Sequence, residues 1–369
     1  MAGRIVLFGA TGYTGDLTAR ALVAQGARPV LAARSADRLA TLAAELGDLE
    51  TAVADVSQPA GVRALVERGD VLVSTVGPFV RFGGPAVEAA VAAGAHYLDS
   101  TGEGPFIREV FERHGPGAQA AGSGLVTAFG YDWVPGNLAG GLALADAGEH
   151  AVRVEIAYFA PGGGSGVAMS GGTRASAAGL LLEPSFAWRG GRLVSERGAS
   201  RVKSFELRPG KKAQGVSVGT SEHLALPRLQ PALRDVDVYL GWFGPASRAM
   251  QAFSAGGSLV ARLPGVRAGL GAVTGRLVKG STGGPDAQTR ARSSSLVLAQ
   301  AFDAAGVSVA SVRLEGVNGY DFTAAALAWG ARTAAQGGLQ GTGALGPVDG
   351  FGLAVLQAGV AEAGISRVG

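Results

Sequence analysis

Three glycines at intervals of three residues, Gly9, Gly12 and Gly15, stand in the run Gly9-Ala10-Thr11-Gly12-Tyr13-Thr14-Gly15. An apolar, strand-like stretch (Ile5–Ala10) leads into them and a helix-forming stretch (Asp16–Gln25) follows. Strand, glycine turn and helix in that order make a GxxGxxG variant of the dinucleotide fingerprint. In it the first glycine permits the tight turn, the second the close approach of a pyrophosphate, and the third close packing of helix on strand. Backbone N–H groups and the positive end of the helix dipole then face the anion.

The end of the second strand-like run selects between two cofactors. An NAD site places an Asp or Glu there to accept from the ribose hydroxyl. Here the run ends in Arg34-Ser35, with Arg38 one turn on. A carboxylate repels a 2′-phosphate, whereas a guanidinium binds it through charge-assisted hydrogen bonds. Asp37, the nearest acid, is expected to point along the new helix. The expected cofactor is therefore NADP(H). By position at the same sheet edge, Asp55 and Val56 are expected beside the adenine. Val76, Gly77, Pro78 and Phe79 are expected near the nicotinamide ribose.

Reduction by such a cofactor also needs a proton and a polarising group. Candidates must end the fourth, fifth or sixth strand, and Glu103, Tyr131 and Asp132 do so. Tyr131 can donate to a carbonyl or enolate oxygen, while Asp132 or Glu103 can orient an imine nitrogen or a water. Each also has a plain structural role open to it: Asp132 satisfying backbone groups before Pro135-Gly136, Glu103 capping the next helix, Tyr131 packing. Arg81 can clamp an acidic substrate or be a solvated loop residue. Ser170–Thr173 can wall the nicotinamide side or simply begin a helix with Thr173 as N-cap.

Other chemistries find little support. The chain has no Cys, which removes disulfides, Cys-ligated metals and Cys nucleophiles together. Its four His residues (His96, His114, His150, His223) lack metal-ligand spacing. No Tyr before position 203 has a Lys four residues on, and no G-x-S-x-G elbow sits at a strand end. The net charge is +3, Lys occurs only at 203, 211, 212 and 279, and no dense basic stripe suggests nucleic acid. The longest apolar candidate, Ser258–Val278, is broken by Arg262, Pro264, Arg267 and Arg276, so no membrane span is expected. With no signal-peptide layout either, a cytoplasmic protein is expected.

The elements that must position these residues alternate along the first 130 positions. Strands are expected at Ile5–Ala10, Pro29–Ala33, Thr51–Val56, Val71–Val76, His96–Ser100 and Leu125–Phe129. Helices are expected at Asp16–Gln25, Asp37–Leu46, Pro59–Glu67, Gly84–Ala93 and Pro105–Ala121. Apolar strands with helical crossovers give a doubly wound parallel sheet whose ligand edge is at the strand C-termini. After Gly130 the pattern changes: an alternating strand (Val152–Ala160), a Gly turn (Gly162–Gly166), a helix (Arg174–Leu182) and a hairpin over Ala187–Arg197 around Gly190–Gly191. A strand pair over Thr289–Ala305 and Val307–Gly316 follows, with helix also open to these Ala-rich runs. A helix (Ala324–Gln336), a Gly-rich connector (Gly337–Gly346) and a final helix (Phe351–Ala363) complete the chain, and there is no internal repeat. The expected fold is α/β: a Rossmann doubly wound parallel sheet (residues 1–130), a second α+β domain on a mixed sheet for substrate and dimerisation (131–345), and a C-terminal helix (346–369) packing back on the first domain.

Several segments together resemble the saccharopine dehydrogenase-like reductases, in the branch of the trans-acting enoyl reductase type. They are GATGYTG (Gly9–Gly15), Arg34-Ser35, TVGPF (Thr75–Phe79), HYLDSTGE (His96–Glu103) and AFGYDWVP (Ala128–Pro135). Ser170–Thr173 with Ser176, Gly283–Asp286, GYDFTA (Gly319–Ala324) and GPVDGFG (Gly346–Gly352) extend the likeness over nearly the whole chain. The resemblance implies hydride transfer from a nicotinamide to a C=C or C=N bond, and a second domain that carries the substrate face and often a dimer contact. Trp133 stands where many relatives have a small Ser, so the pocket is expected to differ in shape, and Tyr131 stands where Phe is common, adding a hydroxyl near the expected site. The leading expectation is an NADPH-dependent reductase of an activated C=C bond in a small molecule, free or linked to a carrier or CoA, with a homodimer as an expected assembly. A C=N reductase of the saccharopine type and a non-enzymatic NADP sensor or scaffold are the alternatives.

Overall fold

The computed structural model describes residues 3–162, 184–260 and 283–368. The expected turn at Gly162–Gly166 beyond its first residue, the helix Arg174–Leu182 and the segment Ser170–Thr173 lie outside the described residues.

Six short strands, β1 (Ile5–Phe8), β2 (Val30–Ala33), β3 (Thr51–Val53), β4 (Val71–Ser74), β5 (His96–Asp99) and β6 (Gly124–Val126), form the expected parallel sheet. Every residue of β1, β2 and β4 is buried, as the apolar runs require of strands covered on both faces. The spatial order is β6-β5-β4-β1-β2-β3. Successive strands step one way from β1 to β3 and the other way from β4 to β6. The reversal between β1 and β4 opens a crevice at their C-terminal ends. The expected helix Pro105–Ala121 is a continuous helical run from Gly104 to Ala121 with a π-turn at Val110–His114.

A further strand, β15 (Gly343–Ala344), joins this sheet parallel to β6 from within the expected Gly-rich connector. Two residues, one of them Gly, carry no periodicity by which a strand could be read. The helix Gly319–Ala335 starts earlier than its Ala-rich stretch suggests, because the Asn318 side chain caps it at Tyr320 and Asp321 N–H. It packs against the helix Tyr13–Ala24 and against β1, β4 and β5.

The second sheet is mixed. It is built from β7 (Arg153–Phe159), β8 (Pro184–Arg189), β9 (Arg192–Arg197), β10 (Val202–Arg208), β11 (Lys211–Ser217), β12 (Asp235–Leu240), β13 (Ser294–Phe302), β14 (Ser308–Val317) and β16 (Ile365–Arg367). The order is β10-β11-β12-β7-β13-β14-β16, with the β8–β9 hairpin attached to β12. The hairpin turns at Gly190 and Gly191 with φ of +56° and +77°, the two positive values that a type I′ turn requires. β7 is not a simple antiparallel strand: it pairs antiparallel with β13 but parallel with β12, and is buried at six of its seven residues. One helix, Val134–Ala147, lies on this sheet against β7, β13 and β14 and is buried from Val134 through Leu144. The expected C-terminal helix is two, Pro347–Phe351 and Leu353–Glu362, broken at Gly352 (φ +77°). The second of these packs on Val134–Ala147 and Gly319–Ala335. Among the described residues no helix is long and apolar enough to cross a membrane.

Candidate active site

The crevice at the strand C-termini is a cleft of about 1580 Å³ running from the glycine turn toward the second sheet. The three glycines divide their work as the spacing suggests. Gly9 has φ +92°, and a Cβ there would lie 2.6 Å from Thr75 Oγ1. At Gly15 a Cβ would come 2.1 Å from the Gly9 carbonyl oxygen, so helix and strand touch backbone to backbone. Gly12 is open to the cleft, with only the Gly9 oxygen at 3.2 Å from such an atom. Thr75 ties the turn to the end of β4, its hydroxyl standing 3.3 and 3.2 Å from the Phe8 and Gly9 carbonyl oxygens. This bare turn fits a pyrophosphate. Of the sequence-predicted cofactor residues, Gly9, Thr11, Gly12, Tyr13, Thr14, Arg34, Ser35, Arg38, Asp55, Val56, Val76, Gly77, Pro78 and Phe79 all line the cleft. Ala10, fully buried, and Gly15 stand behind its wall.

At the end of β2, Arg34 is exposed and Ser35 caps the next helix by accepting the Arg38 N–H. The Arg38 guanidinium donates to the Thr11 carbonyl and so braces the glycine turn. Neither arginine has a carboxylate partner among the described residues, and both face the cleft, whereas Asp37 does not. Two guanidinium groups thus stand at this end of the cleft, that of Arg38 already bound to the Thr11 carbonyl. Asp55 accepts the Ser57 N–H at 2.8 Å, which with Arg34 nearby holds its carboxyl below the usual range.

At the other end of the cleft the three predicted polar residues part company. Glu103, 8% exposed, accepts the backbone N–H groups of Phe79 and Val80, each at 2.9 Å. It thereby fixes the one-turn helix Phe79–Phe82 that follows the Gly77-Pro78 bend. Tyr131 is buried and is not on the cleft wall: its hydroxyl donates to the Phe159 carbonyl at 3.1 Å, and its ring packs edge-on against Tyr158 and Phe322. Asp132 does line the cleft, keeping part of its surface open to it. Its Oδ1 is enclosed with no hydrogen-bond partner, and burial pushes the carboxyl up to about 7. Gly102 lies against it, where a Cβ would stand 3.0 Å from Asp132 Oδ2. Trp133, Leu240 and Trp242 continue this end as apolar wall, with Arg81 exposed at the margin over the Phe82 ring.

Several site residues escaped the sequence reading. Asp99, fully buried, accepts from Thr101 N–H, Ala128 N–H and the Thr127 hydroxyl at 2.7–2.9 Å, and so joins the ends of β5 and β6; burial raises its carboxyl to about 6. Its position in HYLDSTGE was the available signal. Gly283, Gly284, Pro285, Asp286 and Arg290 bring the later chain over the glycine turn. Tyr13 donates to the Pro285 carbonyl, and Arg290 reaches the Tyr13 hydroxyl at 3.1 Å and Asp321 at 2.6 Å. Tyr320 packs edge-on against the Tyr13 ring at 5.2 Å. Among the described residues no group of three or more His, Asp or Glu side chains is placed to hold a metal ion.

Residues 5–124 match the family model of the saccharopine dehydrogenase NADP binding domain. Over 140 residues, 36% of this chain, the protein is 44% identical to the trans-acting enoyl reductase of Mycobacterium leprae, and 41% identical to that of Mycobacterium tuberculosis. The chain spans about a third (34%) of the length of these curated relatives. Among solved structures, apo saccharopine dehydrogenase (L-Glu forming) from Saccharomyces cerevisiae shares the fold over 100% of both chains, with a TM-score of 0.60 and 14% identity. The N-terminal domain is thus an NADP(H)-binding domain of the saccharopine dehydrogenase type.

Proposed function

We propose that this chain, with its saccharopine dehydrogenase-type NADP-binding domain, is an NADP-dependent oxidoreductase that reduces an activated C=C bond of an enoyl-type small molecule, with Asp132 as proton donor. The observation that carries the reading is the Asp132 carboxyl. It is the acid with an unpartnered, enclosed oxygen on the cleft wall, and its raised pKa keeps it protonated to a useful extent near neutral pH.

NADPH, when bound, supplies a hydride to one carbon of the double bond. The remaining work falls to the protein. The glycine turn, Arg34 and Arg38 hold the phosphates, and Glu103 fixes the Phe79–Phe82 turn against the cofactor groove. Asp132 delivers the proton that completes the reduction and, being partly open to the cleft, can take another from solvent. Trp133, Leu240 and Trp242 keep water from the reacting carbons.

The apolar wall favours C=C over C=N reduction. A saccharopine-type imine carries amino-acid carboxylates and wants several basic groups around it. Among the described residues Arg81 is the basic residue at this end of the cleft, since Arg290 is engaged with Asp321 and Tyr13. The names of the mycobacterial relatives support the same choice. The substrate is a small molecule, free or carried on a thioester.

The test mixes purified protein with NADPH and a panel of 2-enoyl thioesters and imines, following loss of the reduced nicotinamide absorbance. Oxidation of NADPH with an enoyl thioester is expected, with label from deuterated NADPH on carbon next to carbon. Turnover of imines alone transfers the protein to the saccharopine-type reaction. Tight NADPH binding with no turnover of any substrate makes it a sensor or scaffold.

A further inference from the structure

The cofactor groove has a second side that the glycine turn does not supply. The segment Gly283-Gly284-Pro285-Asp286 and Arg290 line the same cleft as Gly9 and Gly12. The segment leads through the short helix Ala287–Ala291 into β13 of the second sheet, at whose start the Ser294 N–H donates to the Pro161 carbonyl at 3.0 Å. Backbone from both sheets therefore lines one groove.

Each residue of the segment has a local reason for its type. Gly283 has φ +65°, in the left-handed region. Gly284 lies on the Tyr13 ring, where a Cβ would stand 2.5 Å from the nearest ring carbon. The Pro285 carbonyl is the point of attachment: it accepts the Tyr13 hydroxyl and, at 3.0 Å, the Arg290 guanidinium. Asp286, the acid of the segment, accepts the Thr289 N–H of its own helix at 2.7 Å.

The attachment starts inside the fingerprint. Tyr13 follows Gly12 directly, and its hydroxyl donates to Pro285 while accepting from Arg290 at 3.1 Å. Arg290 is fixed in turn by Asp321 at 2.6 Å, and Asp321 by the Asn318 side-chain amide at 2.6 Å. This chain of bonds sets how far the segment stands from the glycine turn. What the segment leaves unspent is on its backbone. Gly283 and Gly284 are exposed, and neither N–H has a hydrogen-bond partner among the described residues. Successive N–H groups beside a left-handed residue suit an anion.

We propose that Gly283–Asp286 is the outer wall of the diphosphate subsite. The Gly283 and Gly284 N–H groups donate to the cofactor's diphosphate from the side opposite the glycine turn. Tyr13, Arg290 and Asp321 are positioning residues that hold the segment there. The proposal needs NADP(H) binding alone and stands whatever substrate is reduced.

Hydrogen exchange of the full-length protein, read by mass spectrometry on peptides covering residues 283–290, tests it. Saturating NADPH or NADH is expected to slow exchange at 283–286 about tenfold, as one hydrogen bond to a charged group would. Adenosine 2′-monophosphate, which has no diphosphate, is expected to leave it unchanged. Y13F and R290Q each remove one bond to the Pro285 carbonyl. Both are expected to lose the protection and to release NADPH and NADH about tenfold faster by stopped flow, with unaltered affinity for the 2′-monophosphate. A role confined to folding would weaken all three ligands together. Should Y13F fail to fold, R290Q carries the test. Unchanged exchange at 283–286 with NADPH bound overturns the proposal, and so does equal protection by the 2′-monophosphate. Wild-type release rates in folded Y13F and R290Q overturn the positioning roles.

Discussion

Glu103 holds Phe79 by its backbone, carboxylate to N–H at 2.9 Å, and so fastens the loop after β5 to the loop after β4. The second oxygen does the same for Val80. Replacing Glu103 by Ala leaves these N–H groups without an acceptor at a largely buried site, at a cost of about 1–3 kcal/mol. Chemical denaturation should show that loss together with weaker NADPH binding. Full stability in E103A would mean that water replaces the carboxylate and that the loop needs no clasp.

Gly12 and Gly15 should fail in different ways. A methyl at residue 12 meets little but the cleft, so Gly12→Ala should keep its melting temperature and lose dinucleotide affinity. A methyl at residue 15 must push apart two backbones, costing about 1–3 kcal/mol from overpacking. Thermal unfolding and cofactor titration on the two variants separate these effects. Equal melting temperatures would contradict the contact at Gly15.

Arg34→Ala should weaken NADPH about 10- to 100-fold, the equivalent of one charge-assisted hydrogen bond, and leave NADH unchanged. Arg38→Ala should weaken both, because Arg38 also braces Thr11 in the turn. Calorimetry with each cofactor decides, and parallel losses at Arg34 would remove it from 2′-phosphate recognition.

Tyr131→Phe should cost about 1 kcal/mol of stability and leave turnover near wild type, since the hydroxyl serves the Phe159 carbonyl. Asp132→Asn should instead lower turnover about 10²- to 10⁴-fold. Steady-state rates on a reducible enoyl thioester distinguish the two, and a large rate loss in Y131F would return that residue to the chemistry.

Two carboxyls raised by burial predict a pH dependence of stability. Asp132 and Glu222 titrate at about 7 in the folded chain, above their unfolded values of about 4. Groups raised in this way stabilise fully below the unfolded values, and the contribution is lost as pH rises through about 7. Urea midpoints should therefore fall between pH 5 and pH 8 in wild type and fall less in D132N. Parallel curves would show that Asp132 does not carry the raised pKa.

Much of the cofactor half was legible because its signals are local. Gly9, Gly12 and Gly15 act within one turn, and Arg34 ends the strand beside it. The packing around the rest of the cleft depends on residues far apart in the chain. Tyr158 and Glu222 are 64 positions apart, and Tyr13 and Pro285 are 272 apart, so no spacing rule joins them. Strand-end position placed Tyr131 and Asp132 alike at the sheet edge. It could not say that the turn aims one side chain into the cleft and the other at Phe159. β15 was missed because its partner, β6, makes it a strand, while its own composition says turn.

The pairing of β15 with β6 and of β16 with β14 has a consequence for synthesis on the ribosome. Each sheet takes an edge strand from the last stretch of the chain, and the helix Gly319–Ala335 covers β1, β4 and β5, translated some 250 residues earlier. A nascent polypeptide that has exposed all six early strands still presents an uncovered apolar layer. It must stay unaggregated, by its own slow dynamics or with a chaperone's help, until residue 367 is free of the exit tunnel.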